Sequence, residues 1–180
     1  METLKQNTNR SQIIALFAIG SVGMTTQNFW NASPDIYFIQ SFLGSALMAA
    51  LIGWIGLLWF AAVVHHSARL LGGRAGMKTS IEAVAWSLLP SIISLILFVI
   101  VLLCFGETFF TAKLTGTTLG TVKSILSAIR ILLSVGATIL LIRGIMRGYK
   151  LTMRKAVYAV LSPIVLFAVC GLGVFALFTR

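Results

Sequence analysis

Acidic residues are scarce in this chain, and charge of either sign is low. Only four of its 180 residues are Asp or Glu, against fourteen Lys and Arg. Charged residues make up 10% of the chain, whereas an ordinary soluble protein has about a quarter, which argues against disorder and a soluble α/β enzyme. Two cysteines are too few for a disulfide scaffold. A nucleic-acid-binding domain needs its cations on one wettable face, for which a chain that is 58% apolar leaves little room.

Long apolar segments are what the sequence contains instead. Four runs of 24 residues or more carry no charge, and a fifth apolar run contains only Lys123 and Arg130. A helix needs about 20 residues to cross a bilayer, and the alternation typical of an outer-membrane barrel is missing. We therefore predict an all-α, polytopic membrane helical bundle that forms a single integral membrane domain over residues 1–180. Its five spans are predicted near 12–29, 42–64, 81–104, 122–142 and 156–177.

The first of these spans is the weakest, because only the segment from Ile13 to Met24 is strongly apolar. A cleaved signal peptide is the alternative, with Ser21-Val22-Gly23 as its small-x-small cleavage site. Its removal would leave four helices in the same orientation.

The positions of the cations predict which side of the membrane each end of the bundle faces. Ten of them fall on one side of the predicted bundle: Lys5, Arg10, Arg69, Arg74, Lys78, Arg143, Arg147, Lys150, Arg154 and Lys155. By the positive-inside rule this side is cytoplasmic, so the N-terminus is expected in the cytoplasm and the C-terminus outside. The basic loops are expected to meet anionic lipid headgroups of the bilayer.

A repeat is visible in the second half of the chain. A shift of 73 residues places Thr79–Pro90 on Thr152–Pro163, with five of twelve positions identical. The two hairpins concerned run in the same sense, which predicts a parallel repeat about an axis along the membrane normal. Chance is the alternative, because Ala, Val and Leu matches are common in membrane helices.

Two local features predict how the helices begin and bend. Thr79 and Glu82 have the Thr-x-x-Glu spacing of a capping box at the start of the third span. Pro90 and Pro163 each remove a backbone hydrogen bond, so both are expected to kink their helices. Such kinks can serve as hinges, but more often they shape packing.

Polar residues inside the spans are the candidates for function. Arg130 shares a helical face with Ser127, Ser134 and Thr138, while Ser87, Ser91 and Ser94 form a stripe on the third span. One interpretation is an anion or headgroup site, or a polar path between the two stripes. The other is that Arg130 snorkels or bonds to backbone carbonyls, while the serines allow close helix packing.

No cofactor or metal site is predicted. The loop Gly72–Thr79 lacks the second glycine of a phosphate-binding loop, and His65 and His66 are interpreted as an interfacial polar pair. The spans contain neither a carboxylate pair nor a Ser/His arrangement, which argues against an enzyme.

The second and third spans also resemble a known family. Ala68-Arg69-Leu70-Leu71-Gly72-Gly73 precedes a short basic loop and then Ala85-Trp86-Ser87-Leu88-Leu89-Pro90. This pattern is similar to the Yip family, whose members have five spans, commonly a Gly-Gly pair closing the second span, and an aromatic-x-x-x-Pro turn in the third. Gly148-Tyr149-Lys150-Leu151-Thr152 resembles the family's entry into its last span.

Eukaryotic Yip proteins interact with Rab GTPases in vesicle traffic, and they carry a long cytosolic N-terminal segment. About ten residues precede the first span here, so the resemblance does not imply Rab binding. The short loops resemble those of prokaryotic members, which implies a prokaryotic cytoplasmic membrane. We therefore predict a non-catalytic scaffold or accessory subunit of a membrane complex, in efflux, transport or membrane traffic. Another membrane protein or a second copy is its expected partner, and a small permease or channel is the alternative function.

Overall fold

A computed structural model describes residues 10–29, 38–106, 109 and 118–178, and every regular element in these ranges is helical. The prediction of an all-α chain is therefore confirmed for the described residues. The elements are α1 (Arg10–Phe29), α2 (Phe38–Met48), a π-helical turn (Ala49–Gly53), α3 (Trp54–Leu70), α4 (Met77–Ser87), α5 (Leu89–Phe105), α6 (Thr118–Tyr149) and α7 (Met153–Phe178).

Three long helices within the described ranges have the length and composition to cross a membrane. α2, the π-helical turn and α3 join into one helix of 33 residues, Phe38–Leu70. α4 and α5 form Met77–Phe105, with 29 residues, and α6 contributes Gly120–Tyr149, with 30. The first predicted span coincides with α1, whose apolar part Ser11–Thr26 is shorter, and the fifth coincides with α7.

The helices pack around two clusters of buried side chains at opposite ends of the bundle. α1 lies along α5, α3 packs on α7, and α4 packs on α6. One cluster is aromatic: Phe42 stacks on Phe98 with 4.8 Å between ring centroids, next to Phe38 and Phe109. The other cluster is built on small residues that let the helices approach closely, together with a few large side chains. Its members include Ala61, Val64, Ala68, Ala83, Leu88, Ile145, Tyr149, Ala156 and Ala159.

Helix α1 is packed into this bundle through its small residues. A Cβ added to Gly20 would lie 2.7 Å from Cβ of Leu88, and one added to Gly23 would overlap the carbonyl oxygen of Ser91. The buried Ser21 hydroxyl donates a hydrogen bond of 2.8 Å to the carbonyl of Ala49, at the start of the π-helical turn. Ser21 and Gly23, which the alternative interpretation places in a cleavage site, thus lie inside α1 against its neighbours.

The predicted capping box at Thr79 is wrong. The N-cap of α4 is Gly76, three residues before Thr79, because Gly76 has the extended backbone of an N-cap, and the helix begins at Met77. Thr79 is already helical, and its amide donates to the carbonyl of Gly76 at 3.1 Å. Glu82 therefore lies in the second turn, where its carboxylate is 3.7 Å from the ammonium of Lys78.

The two prolines occupy different backbone settings. The third span is interrupted at Leu88, and Pro90 lies in the first turn of the new helix α5, where a missing amide costs little. Pro163 lies within the continuous helix α7. The carbonyl of Ala159, which Pro163 deprives of its amide partner, accepts a hydrogen bond of 2.8 Å from the hydroxyl of Ser162.

Candidate functional site

Two short loops lie side by side at one end of the bundle: 71–76, between α3 and α4, and 150–152, between α6 and α7. We call them the basic loops. Nζ of Lys155 donates to the carbonyl of Leu71 at 2.9 Å, which ties the start of α7 to the end of α3. We define the basic end as the eight exposed cations on and beside these loops. They are Arg69, Arg74, Lys78, Arg143, Arg147, Lys150, Arg154 and Lys155. The beginning of α1 lies at the same end, because Ile13 and Phe17 pack against the core cluster there.

A buried junction centred on Tyr149 holds the two loops together. The side chain of Tyr149 is 1% exposed. Its hydroxyl lies 2.5 Å from Nδ1 of His65 on α3, and 3.3 Å from the carbonyl oxygen of Gly76, to which it can donate. One tyrosine therefore connects α3, the loop before α4 and the end of α6.

Gly73 is required for this arrangement. A Cβ at this position would lie 2.7 Å from Cδ1 of Tyr149 and 2.8 Å from the carbonyl oxygen of Ala68, so a larger residue would displace the ring. The neighbouring Gly72 has a φ of +94°, which favours glycine after a helix end. The Gly-Gly pair thus turns the chain away from α3 and makes room for the tyrosine.

The histidine pair is divided between two environments. His65 is buried beside Tyr149, whereas His66 is exposed and its Nδ1 lies 2.9 Å from the carbonyl oxygen of Ala62. One turn earlier on α3, the carbonyl of Ala61 accepts a hydrogen bond of 2.7 Å from the buried hydroxyl of Ser80 on α4. The polar contacts of the junction therefore reach three helices.

Small residues bring α4 and α6 together just beyond the junction. A Cβ on Gly148 would lie so close to the methyl group of Thr79 that the two could not coexist, and a Cβ on Gly144 would lie 3.0 Å from Cβ of Ala83. This contact was not predicted from the sequence. The signal for it was present, because Gly144 and Gly148 form the Gly-x-x-x-Gly pattern of close helix pairs.

The two predicted serine stripes have different surroundings. Ser87, Ser91 and Ser94 are buried, and the backbone of Ser91 lies against Gly23 of α1. Ser134 and Thr138 on α6 are exposed, and their hydroxyls donate to carbonyls of α6 itself, at 3.1 Å. Arg130 and Ser127 are half-buried.

The chemistry available at the basic end is that of anion binding. The residues described there include eight exposed cations and one acid, Glu82, whose carboxylate lies beside Lys78. Over all the described residues, no group of three or more His, Cys, Asp and Glu side chains is placed to hold a metal ion. Cys104 is an exposed free thiol near the end of α5, and the side chain of Cys170 lies outside the described residues.

Apolar helices of this length, joined by short loops rich in cations, define an integral membrane protein of the helical class. The model of the Yip1 domain family matches residues 11–175, which is nearly the whole chain. The protein therefore belongs to the Yip family, whose members are generally non-enzymatic membrane proteins. No curated protein and no solved structure matches the chain.

Proposed function

We propose that this protein is a non-catalytic scaffold or accessory subunit of a membrane complex, in efflux, transport or membrane traffic. The observation that carries the proposal is the exposure of α6. Among the described side chains of residues 120–140 none is fully buried, although Val122 and Leu126 pack against the aromatic cluster, and the first buried side chain of α6 is Leu141. A helix that leaves most of its length uncovered offers a long face to a partner helix, which is another membrane protein or a second copy of this chain.

A photo-crosslinking experiment tests this role. A photoreactive amino acid replaces Leu132, which is 70% exposed on α6, and in a control it replaces Leu103, which is 80% exposed on α5. A partner that binds α6 gives one stoichiometric adduct from position 132 and none from position 103. Equal, diffuse labelling of lipid from both positions contradicts the scaffold proposal.

The alternative function is a small permease or channel. It is favoured by Ser94, which is 4% exposed and whose hydroxyl has no hydrogen-bond partner among the described residues. The path would run along the buried serines toward Arg130. Solute flux through protein-containing liposomes, abolished by Arg130→Ala and reduced by Ser94→Ala, would favour this function over the scaffold.

We also propose that the protein lies in a prokaryotic cytoplasmic membrane with five crossings and its basic end in the cytoplasm. All described cation clusters of the loops lie at one end of the bundle, as the positive-inside rule requires. An odd number of crossings then places the C-terminus outside.

We further propose that the two hairpins form a duplicated pair. Gly76 and Tyr149 are equivalent positions at the offset of 73 residues, and they contact each other directly, as residues on a two-fold axis do. The packing of α3 on α7 and of α4 on α6 agrees with such an axis. A comparison of many family sequences at this offset tests the duplication, because the paired alanines and prolines should then recur together.

A further inference from the structure

The basic end is a preformed surface, because hydrogen bonds between the helices and the loops fix the loops beside it. Tyr149 joins the loop before α4 to α6, and Lys155 joins α7 to the end of α3. The cations of both loops are thereby held next to each other before any ligand arrives. A partner that meets them does not bear the entropic cost of ordering the loops.

Large apolar side chains are exposed among these cations. Leu70 is 89% exposed at the end of α3, and Met153 is 65% exposed at the start of α7. Met77, which begins α4, is 39% exposed. Each is next to a cation in the sequence: Leu70 follows Arg69, Met77 precedes Lys78, and Met153 precedes Arg154. A surface that mixes cations with exposed apolar side chains suits the boundary between headgroups and acyl chains better than it suits a soluble acidic protein.

We propose that the basic end binds anionic phospholipid headgroups of the leaflet it adjoins, and that it selects them over zwitterionic ones. The cations project at the ends of membrane-crossing helices, where the phosphates of that leaflet lie. The exposed Leu70, Met77 and Met153 enter the acyl-chain boundary between the bound headgroups. This proposal rests on the membrane placement given under the proposed function but is independent of the partner of α6.

Lipid selection can be measured with the protein's own tryptophans. The full chain is reconstituted in vesicles of phosphatidylcholine that contain increasing fractions of phosphatidylglycerol brominated in its acyl chains. Bromine quenches nearby tryptophans, and Trp54, Trp59 and Trp86 are exposed on the helices. Parallel vesicles with brominated phosphatidylcholine give the reference, so the ratio of the two association constants reports the preference for the anionic headgroup.

The decisive variant is Arg74→Gln combined with Arg154→Gln, which removes one exposed cation from the loop before α4 and one from the first turn of α7. Lys123→Gln removes one half-buried cation near the start of α6, at the opposite end of the bundle, and is the control for a loss of charge away from the basic end. We expect the preference for phosphatidylglycerol to fall about fivefold for each cation removed from the basic end, and to be unchanged in Lys123→Gln. The preference of the wild-type protein should also weaken at high salt, because exposed charges are screened.

Three results would overturn the proposal. The first is an equal association of both lipids with the wild-type protein. The second is an equal loss of preference in Lys123→Gln, which would show that the preference for the anionic lipid depends on the net charge of the protein and not on the basic end. The third is a salt-sensitive association of the basic end with an added polyglutamate peptide in phosphatidylcholine vesicles, without lipid selection, which would make an acidic protein segment the ligand. The crosslinking at Leu132 is unaffected by any of these results, so the two proposals can fail separately.

Discussion

The hydroxyl of Tyr149, at the last residue of α6, lies 2.5 Å from Nδ1 of His65 on α3, although the two residues are 84 positions apart in the chain. Both side chains are buried. This contact links the last turn of α6 to α3, which the Gly72-Gly73 pair follows. It therefore fixes how the two basic loops meet.

Replacing Tyr149 with Phe should destabilise the protein by about 1–3 kcal/mol, because His65 and the carbonyl of Gly76 lose a buried hydrogen-bond partner while the ring volume is kept. The measurement is thermal unfolding of the purified protein in detergent. Tyr158→Phe is the matched control, since Tyr158 is 65% exposed and its loss of a hydroxyl should have little effect. Equal melting temperatures for the two variants would contradict the structural role of the junction.

Gly148→Ala should separate α4 from α6. The new methyl group would overlap the methyl group of Thr79, which costs about 1–3 kcal/mol in a well-packed interface. Gly136→Ala is the control on the same helix, because a Cβ there meets nothing within 4 Å. That variant should be neutral, or more stable by up to about 1 kcal/mol through helix propensity.

A second substitution tests whether the contact with Thr79 is the cause. Thr79→Ser removes the methyl group that overlaps, so it should restore much of the stability that Gly148→Ala loses. Thermal unfolding of the two single variants and the double variant gives the coupling between the positions. Additive effects would show that Gly148 matters for another reason.

The helical architecture could be predicted because a bilayer leaves the backbone few options. Each apolar run had to satisfy its own amides and carbonyls, so its length indicated a helix near 42–64 or 81–104. The observed helices Phe38–Leu70 and Met77–Phe105 are longer at both ends. Polar residues such as Ser67 and Lys78 continue a helix beyond the apolar segment, and hydropathy cannot locate those ends.

The junction could not be predicted, because it depends on how helices distant in the chain are aligned. His65 and Tyr149 each looked like an ordinary residue at a helix end, and only the packing of α3, α4 and α6 brings them together. The capping box failed for a local reason. Gly76 offered an N-cap for α4 three residues before Thr79, and spacing alone does not locate a helix start more closely than a few residues.

A hydrogen bond between the hydroxyls of Ser67 and Ser162, at 2.6 Å, connects α3 to α7. Ser162→Ala should cost about 1 kcal/mol, since it also removes the donor to the carbonyl of Ala159 beside Pro163. Ser67→Ala should cost less, because it removes only the contact between helices. In a double-mutant cycle measured by unfolding in detergent, the second substitution should add little to Ser162→Ala. Full additivity would mean that the hydroxyls do not interact.

The proposed orientation predicts how fused reporters behave. Alkaline phosphatase folds to its active form only outside the cytoplasm, so a fusion at the C-terminus should be active if the chain crosses the membrane an odd number of times from a cytoplasmic N-terminus. Fusions after Arg74 or Lys150, in the two basic loops, should be inactive, whereas green fluorescent protein at the same sites should fluoresce. These loop fusions are the internal control for expression and insertion. An inactive C-terminal phosphatase together with a fluorescent C-terminal fusion would mean an even number of crossings, with α1 or α7 not spanning the bilayer.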